Sequence, residues 1–430
     1  MKKIIVAGVV VLCLLGGWAV TMLTLLRPDD TQAKIAQYQQ LAQEQAARGG
    51  YGLAADCYSK IIALQDSPEA RLAMAEMYRE AGLTNTYKAT LEEMIAVYPK
   101  DSRGYEALAG YYDSVDAHSD CVEVVRQAYQ AEAGSDTLQQ LYYAHAFEYY
   151  AMRGSYDSVT PMLHGCAAVS DGDRMGLVDS TGYIIGNTLY DMVTPYNGDL
   201  AAARDGERCG FLKADGTWYV VLEEPFEEAY PFHDGLGVIV RNGQALFVDR
   251  IGAVRLGPYE DATGFAGGVA AVKTNGSWQL INTSGEAVCA DLYEDVLRDT
   301  DGLCSTAGVI FVKSAGQWRL VNTKGEACSE LTFDEARPFY SDTEPAAVCV
   351  DGKWGFVNTE GAWSAEPQWE GADSYSAGLA AVQVDGAWGY MDHNLRVVIE
   401  PQFDAAGPFS SYKTAPVESG GAWYFIKLLV

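Results

Sequence analysis

The chain has 430 residues, of which 49% are hydrophobic, and its formal net charge at pH 7 is −28. This length predicts more than one domain, and this hydrophobic fraction excludes a chain that is disordered throughout. A surface this acidic repels phosphate backbones, so the composition argues against nucleic acid as a partner.

The first predicted element is an uncharged, apolar segment at residues 4–26, which follows Lys2 and Lys3. A helix of this length extends about 35 Å and can cross a hydrocarbon core of about 30 Å. We therefore predict a transmembrane signal anchor, with a cleaved signal peptide as the alternative. The lysines favour a cytoplasmic N-terminus at residues 1–3, so the predicted localisation is the cell membrane, with a single span and the bulk of the chain extracytoplasmic.

Residues 31–152 carry the apolar period of α-helices. Small residues recur at intervals of 33 and 34, at Ala42, Ala75 and Ala109, where they let paired helices approach closely. This pattern resembles the tetratricopeptide repeat in three degenerate copies, although Tyr87 stands where that family usually has a small residue. The resemblance implies an α-solenoid with a concave groove for peptides or protein segments. With only three copies, a structural stalk that spaces the next domain from the membrane is slightly favoured over that groove.

The remainder of the chain, residues 156–430, repeats one short phrase eight times at intervals of 33 to 40 residues. The phrase is an aromatic residue followed by an acid. Its copies are Tyr156-Asp157, Tyr190-Asp191, Phe226-Glu227, Tyr259-Glu260, Tyr293-Glu294, Phe333-Asp334, Trp369-Glu370 and Phe403-Asp404. This regularity predicts a repeat architecture with units of about 34 residues.

Each unit continues with a hairpin signal, most often Asn-Gly or Asp-Gly, which favours a type I′ turn because that turn needs positive φ at both central residues. A second glycine turn follows in most units, and His393-Asn394 takes its place in the seventh. Each unit is therefore predicted to hold three or four short strands. Tryptophans after the hairpin turn are predicted to be buried structural positions of the repeat: Trp278, Trp318, Trp354, Trp388 and Trp423.

Trp354-Gly355 and Trp388-Gly389 belong to the best preserved copies of this pattern. The segment 156–430 resembles the bacterial WG-repeat family, which is named for Trp-Gly pairs of this kind. The resemblance implies an all-β repeat domain but little about function, because the function of the family is poorly defined. The predicted fold class is therefore multidomain α plus β, with a transmembrane helix, an α-solenoid and eight β units.

The eight units can close into a propeller-like ring or extend as an open β-solenoid. We favour the ring, because a rod needs caps at both ends and a ring has no ends. The chain stops directly after the last hairpin. A closed ring would therefore have to borrow or forgo the final strand of its last unit.

The acids of the phrase admit two interpretations. They could surround one mouth and hold cations or a basic ligand, or each could accept backbone N–H groups at a tight turn beside its core aromatic. Eight nearly identical local settings favour the structural interpretation. A binding site is then expected where the copies differ, in the longer fifth unit from Tyr293 to Thr332 or in the early units without Trp.

The sequence contains no recognisable catalytic, cofactor-binding or metal-binding motif. The nine cysteines form no Cys-x-x-Cys pair and are interpreted as small core hydrophobes. Five histidines, expected on the surface or in loops, are His118, His145, His164, His233 and His393. We therefore predict that the protein is not an enzyme and requires no cofactor.

The predicted function is a membrane-anchored, extracytoplasmic interaction scaffold that binds a protein or peptide partner through its helical and β repeats. One alternative is a cell-envelope protein that binds glycans through exposed tryptophans such as Trp363 and Trp369. The other is a propeller hydrolase, which would require two or three acids to converge on the central mouth.

Overall fold

The computed structural model describes residues 30–162, 164–187, 189–196 and 200–430. The chain divides into a helical unit that ends at Ala146 and a β unit, Phe147–Leu429. The predicted succession of helical repeats and an all-β repeat domain is therefore confirmed.

The described residues of the helical unit form seven α-helices. They are α1 (Asp30–Ala47), α2 (Tyr51–Leu64), α3 (Pro68–Glu80), α4 (Thr84–Val97), α5 (Ser102–Ser114), α6 (His118–Gln130) and α7 (Asp136–His145). The side chains of Ser67, Asp101 and Ser135 cap α3, α5 and α7 by accepting a hydrogen bond from a backbone N–H of the first turn. The helical pattern was predicted to run to residue 152, but the last helix ends at His145.

Small residues let the helices pack closely, as predicted. Ala42, Ala75 and Ala109 are completely buried. Tyr87, which departs from the tetratricopeptide pattern, is buried as well, and its hydroxyl donates a hydrogen bond to the carbonyl of Ala107 at 3.2 Å. A large side chain is tolerated there because its polar end has a partner.

Among the described residues, no helix is long and apolar enough to span a membrane. The longest helix, α1, has 18 residues and includes Asp30, Lys34 and Glu44. Charged side chains of this kind are costly in a hydrocarbon core. The predicted localisation, a single-pass membrane protein with an extracytoplasmic bulk, is therefore wrong. The predicted anchor at residues 4–26 lies outside the described residues.

The described residues of the β unit form eight antiparallel sheets, which are the blades of a β-propeller. The strand β1 (Tyr149–Ala151) precedes the first blade. Blade 1 contains β2 (Ser158–Val159), β3 (Cys166–Asp171) and β4 (Arg174–Asp179), and blade 2 contains β5 (Met192–Val193), β6 (Leu200–Asp205), β7 (Arg208–Lys213) and β8 (Trp218–Val221). Blade 3 contains β9 (Glu228–His233), β10 (Leu236–Arg241), β11 (Gln244–Val248) and β12 (Val254–Tyr259), and blade 4 contains β13 (Asp261–Ala262), β14 (Val269–Thr274) and β15 (Ser277–Asn282).

Blades 5 to 8 follow the same order. Blade 5 contains β16 (Asp295–Val296), β17 (Val309–Ser314) and β18 (Gln317–Asn322), and blade 6 contains β19 (Glu335–Ala336), β20 (Ala346–Val350), β21 (Lys353–Val357) and β22 (Trp363–Trp369). Blade 7 contains β23 (Gly371–Ala372), β24 (Leu379–Val384), β25 (Ala387–Asp392) and β26 (Val397–Phe403), and blade 8 contains β27 (Ala405–Ala406), β28 (Thr414–Ser419) and β29 (Ala422–Leu428). Consecutive strands of a blade are hydrogen-bonded neighbours. The loop between the first and second strand of a blade is called its first loop below.

The ring is closed by β1, which pairs antiparallel with β29 of blade 8. The final strand that the last unit lacks is therefore supplied by the residues just before the first phrase. A core cluster that contains Met152, Val169 and Phe425 also joins blade 8 to blade 1. The closed ring is thus confirmed against the open solenoid.

The hairpin turns mostly follow the prediction. Both central residues have positive φ in the turns Asn242-Gly243, Asn275-Gly276, Ala315-Gly316, Asp351-Gly352, Asp385-Gly386 and Gly420-Gly421. In the first two units the turn lies one residue later than predicted. In the first, Asp171 still pairs with Arg174, so that Gly172 and Asp173 form the turn.

The second turn of the seventh unit differs from the prediction. Leu395, and not the pair His393-Asn394, takes the positive φ, at 59°. Its N–H donates to the carbonyl of Asp392 at 3.0 Å. A leucine therefore occupies a left-handed position that favours glycine.

Candidate binding site

In all eight units the acid of the repeated phrase binds the hairpin turn of its own blade. Each carboxylate accepts a hydrogen bond from a backbone N–H of the turn, at 2.6 to 3.1 Å. The pairs are Asp157 with Gly172, Asp191 with Gly206, Glu227 with Gly243, Glu260 with Gly276, Glu294 with Gly316, Asp334 with Asp351, Glu370 with Gly386 and Asp404 with Gly420. The structural interpretation of the phrase is confirmed.

The tryptophans predicted as structural positions lie opposite the aromatic residue of the next phrase. The pairs are Trp278 with Tyr293, Trp318 with Phe333, Trp354 with Trp369, Trp388 with Phe403 and Trp423 with Tyr156. Trp278 and Trp354 are buried, and the other three are half-buried. The last of the pairs joins blade 8 to the first phrase, so the column continues around the closed ring.

Trp363 and Trp369, the tryptophans proposed for glycan stacking, are half-buried. Trp363 packs edge-on against Phe333, with ring centroids 5.9 Å apart, and Trp369 packs against Phe356 at 5.2 Å. Both rings therefore contribute to the core within or between blades rather than form open platforms.

A cavity of about 550 Å³ opens among the first loops of blade 1 and blades 3 to 8. Seven blades can contribute to one cavity only where the blades converge, so the cavity lies at the centre of one propeller face. The lining side chains with a charge, an imidazole or a phenol are His164, His233, Asp234, Asp299, Asp301, Tyr340 and Glu344. None of the described residues that line this cavity is lysine or arginine.

Blade 5 contributes most to the cavity because its first loop is long, from residue 297 to residue 308. Asp299 organises this loop: its Oδ1 accepts hydrogen bonds from the backbone N–H groups of Asp301 and Leu303, at 2.9 and 2.8 Å. Burial raises the pKa of Asp299 to about 7, and the nearby charge of Asp301 acts in the same direction. Asp299 therefore titrates near neutral pH.

Asp301 connects blade 5 to blade 1. The residue is 5% exposed, and its Oδ2 lies 2.7 Å from Nε2 of His164. This hydrogen bond raises the pKa of His164 above its usual value, although burial opposes the shift. The ring of His233 lies 6.4 Å from that of His164, and burial lowers the pKa of His233. Two neighbouring imidazoles thus differ in their tendency to carry a proton.

The remaining acids of the cavity also hold loops in place. Asp234 accepts a hydrogen bond from the N–H of Gly268 at 2.8 Å, and Glu344 accepts one from the N–H of Gly378 at 2.6 Å. Each bond joins neighbouring blades. The cavity is therefore a preorganised, acidic site in which backbone N–H groups fix three of the carboxylates and His164 fixes that of Asp301.

The hairpin and aromatic pattern just described matches a known family model, that of the WG containing repeat. The matches cover residues 259–278, 318–354, 354–386 and 388–423. The chain carries WG repeats. Among curated proteins, none matches it in sequence.

Similarities to solved structures are weak in both units. The Sgt2 TPR domain of Aspergillus fumigatus is 20% identical over 25% of this chain and 73% of its own, with a TM-score of 0.21. Kluyveromyces lactis Hsv2 is 9% identical over 63% and 97%, with a TM-score of 0.36, and the Pan2 WD40 domain of Neurospora crassa is 9% identical over 56% and 89%, with a TM-score of 0.33. These values carry no information about the function of the WG-repeat chain.

The sequence predicted a binding site in the fifth unit or in the early units without Trp, and the first loop of the fifth unit does line the cavity. The sequence did not predict the contact between His164 and Asp301, because the two residues belong to different repeats. The signal for Asp299 was the additional length of this unit, since the extra residues lie between its first two strands.

Proposed function

We propose that this WG-repeat protein is a non-enzymatic interaction scaffold, and that the cavity of its propeller binds a positively charged group of a protein partner. The observation that carries the proposal is the composition of the cavity. Asp234, Asp299, Asp301 and Glu344 line it, and none of its described lining residues is a lysine or an arginine.

Electrostatics favour a cationic partner at this site. The chain carries a formal charge of −28, and a concave surface of one sign concentrates its field and attracts ligands of the opposite sign. Guanidinium and ammonium groups form their strongest hydrogen bonds with carboxylates. An arginine or lysine side chain of a partner therefore suits the cavity better than an anionic or apolar group.

The helical unit offers a second surface to the same proposed scaffold. A cavity of about 560 Å³ lies among α1, α2 and α3. Its lining includes Gln43, Tyr51, Tyr58, Met77 and Glu80. This mixture of aromatic, apolar and polar side chains suits a peptide segment.

The absence of catalysis is part of the proposal. Every acid of the cavity already accepts a hydrogen bond that holds a loop or a histidine: Asp299 from two backbone N–H groups, Asp301 from His164, Asp234 from Gly268 and Glu344 from Gly378. These hydrogen bonds explain why several acids lie at the cavity: they hold the surrounding loops in place.

A hydrolase is the second candidate function, because several acids do converge on the mouth and Asp299 has a pKa of about 7. A general acid at neutral pH requires a pKa of this kind. Assays with chromogenic glycosides and peptides decide the point. Turnover that is lost in Asp299→Asn would replace the scaffold proposal with an enzymatic one.

Selection from a randomised peptide display library tests the scaffold proposal. We expect the intact protein to enrich peptides with lysine or arginine. Replacing the arginine of a selected peptide by citrulline, which removes the charge and keeps the shape, should weaken binding at least about tenfold, or about 1.4 kcal/mol.

Two variants serve as a matched pair in this test. Asp301→Asn removes a charge inside the cavity. Asp385→Asn makes the same chemical change in the hairpin turn of blade 7, at the end of β24 that faces away from the cavity. Only Asp301→Asn should weaken the selected peptides. Equal binding by both variants, or selected peptides without basic residues, would contradict the proposed cavity.

A further inference from the structure

A second cluster of ionisable side chains lies in the helical unit, where the end of α5, the start of α6 and the end of α7 meet. Asp113, His118 and His145 each offer one ligand atom, and the three atoms lie within 4.8 Å of one another. We propose that these side chains bind a divalent transition metal ion of the Zn²⁺ class. The proposal is independent of the function assigned to the propeller.

The geometry of the two histidines supports a shared ligand. Their rings stack with centroids 4.0 Å apart and an angle of 23° between the planes. Nε2 of His145 lies 2.7 Å from Oδ1 of Asp113. Three separate helices therefore place nitrogen and oxygen donors within 4.8 Å of one another, and the stacked rings must turn for both imidazoles to face one ion.

The donor set fits a borderline metal ion. Two imidazoles and one carboxylate suit Zn²⁺, Co²⁺ or Ni²⁺, whereas Ca²⁺ and Mg²⁺ prefer all-oxygen sites. With metal–nitrogen distances of about 2.0 to 2.1 Å, two ligand atoms on a tetrahedral ion are roughly 3.4 Å apart. The three donors lie within 4.8 Å of one another, so binding requires side-chain rotations that shorten these separations by up to about 1.4 Å.

The site is accessible and yet partly desolvated. The side chains of Asp113, His118 and His145 are 42%, 29% and 12% exposed. Asp116, in the turn between α5 and α6, places its Oδ1 3.8 Å from Nε2 of His118. Its carboxylate lies close enough to accept a hydrogen bond from a metal-bound water after a small movement.

Metal binding at this point would cross-link the end of the helical stack. The ligands come from three different helices, and 32 residues separate Asp113 from His145. An ion that binds the folded arrangement and not the unfolded chain stabilises the fold by mass action. The proposal therefore predicts a metal-dependent increase in the melting temperature of the helical unit.

Titration of the full chain with Co²⁺, after removal of bound metals with EDTA, tests the site directly. We expect one equivalent to bind with the visible absorption of a tetrahedral or five-coordinate complex, and we expect Zn²⁺ to displace it. His118→Phe keeps an aromatic ring in the stack but removes the donor nitrogen. This variant should lose affinity at least about 100-fold, because even outer-sphere partners of metal ligands contribute 10- to 100-fold.

A second variant and a control complete the experiment. His145→Gln retains a side chain that can donate a hydrogen bond to Asp113 and should lose affinity similarly. Asp136→Asn alters an exposed carboxylate at the opposite end of α7 from His145 and should bind Co²⁺ like the wild type. No stoichiometric binding by the wild type, or equal binding by His118→Phe, would overturn the proposal and leave the cluster as a stacking contact.

Discussion

His164 and Asp301 are 137 residues apart in the chain, yet Nε2 of the histidine lies 2.7 Å from Oδ2 of the aspartate. The histidine belongs to the first loop of blade 1, and the aspartate belongs to that of blade 5. The contact thus connects blades that are not neighbours, across the cavity that we propose as the binding site.

Replacing His164 by alanine should destabilise the propeller in a pH-dependent manner. The Asp301 hydrogen bond raises the pKa of His164 in the folded state. The stabilisation is therefore fully present below the ordinary histidine pKa of about 6.5 and is lost as the pH rises through the higher folded value. Because His164 is 37% exposed, we expect His164→Ala to cost only about 1 kcal/mol near pH 6.

Chemical denaturation of wild type and His164→Ala between about pH 5.5 and pH 8.5 measures this difference. The destabilisation should shrink as the pH rises. In an Asp301→Asn background, the same histidine replacement should have little pH dependence, because the charged partner is absent. A destabilisation that stays constant across the range would show that the histidine acts through packing alone.

Asp299→Asn should stabilise the protein increasingly between about pH 4 and pH 7. Burial raises the pKa of Asp299 to about 7, so in this range the folded state binds the proton more tightly than the unfolded chain does. Stability is therefore lost as the pH rises through this range, because the carboxylate ionises in the unfolded chain while the buried one keeps its proton, by less than about 1.4 kcal/mol per pH unit. The loss ends as the pH passes the folded value of about 7.

Asparagine keeps the oxygen that accepts from the N–H groups of Asp301 and Leu303, so the comparison isolates the charge. The quantity to measure is the free energy of unfolding of both proteins at several pH values. If the free energies of unfolding of the two proteins changed with pH in parallel, the raised pKa assigned to Asp299 would be wrong.

The sequence predicted the eight-unit build because each unit repeats the same local chemistry. The acid at Glu370 and the turn at Gly386 are 16 residues apart, and their hydrogen bond is formed within one blade. Periodicity is sufficient to reveal such contacts. The structural role of the acids could therefore be inferred before their partners were known.

The cavity was harder to predict, since its contacts join different repeats. Gly378 donates to Glu344 of the preceding blade, and Asp301 meets His164 four blades away. The Glu344–Gly378 bond spans 34 residues, one repeat length, as the Asp234–Gly268 bond does, whereas 137 residues separate His164 from Asp301. The pairing of His164 with Asp301 therefore follows only from the closed ring. The closing strand at Tyr149–Ala151 escaped prediction for a related reason: its partner lies at the opposite end of the chain, and its sequence extended the preceding helical pattern.

Removing the acid of the phrase should be most costly where it accepts two hydrogen bonds. Glu227 accepts from the N–H groups of Asn242 and Gly243, both at 3.0 Å, whereas Glu370 accepts from Gly386 alone at 3.1 Å among the turn N–H groups. We expect about 1 to 2 kcal/mol for Glu227→Ala and about half of that for Glu370→Ala.

Glu227→Gln provides the control, because its amide oxygen can still accept one of the bonds. It should fall between Glu227→Ala and the wild type when midpoints of chemical denaturation are compared. Equal midpoints for all of these proteins would mean that the turns are held by their backbone geometry without the acids.

Leu395→Gly should stabilise the seventh unit. Leu395 has a φ of 59° and is 46% exposed, so glycine relieves a left-handed backbone cost of about 1 to 2 kcal/mol and sacrifices little packing. Glycine adds unfolded-state entropy worth roughly 0.5 to 1 kcal/mol. A net gain of up to about 1.5 kcal/mol should follow from these two values.

Ile251→Gly is the matched control for this change, since Ile251 precedes the turn glycine of its unit and is 65% exposed. It should destabilise the protein, because the entropy cost has no backbone strain to offset it. Thermal melts of the two variants should therefore shift in opposite directions. A lower melting temperature for Leu395→Gly would show that the leucine side chain stabilises the turn by contacts that outweigh the strain.

Met152→Pro should open the propeller at its point of closure. The N–H of Met152 donates to the carbonyl of Phe425 at 2.7 Å, directly after the β1–β29 ladder. Proline removes this donor and fixes φ, so we expect a loss of at least about 2 kcal/mol. Met152→Leu retains the N–H and a similar volume and should cost less than about 1.5 kcal/mol.

Hydrogen exchange should then show faster exchange in β1 and β29 of the proline variant than in β24 and β25 of blade 7, because closure is lost locally before the other blades unfold. Uniform exchange across all blades, or a proline variant as stable as the leucine variant, would mean that the ring does not depend on this strand for its closure.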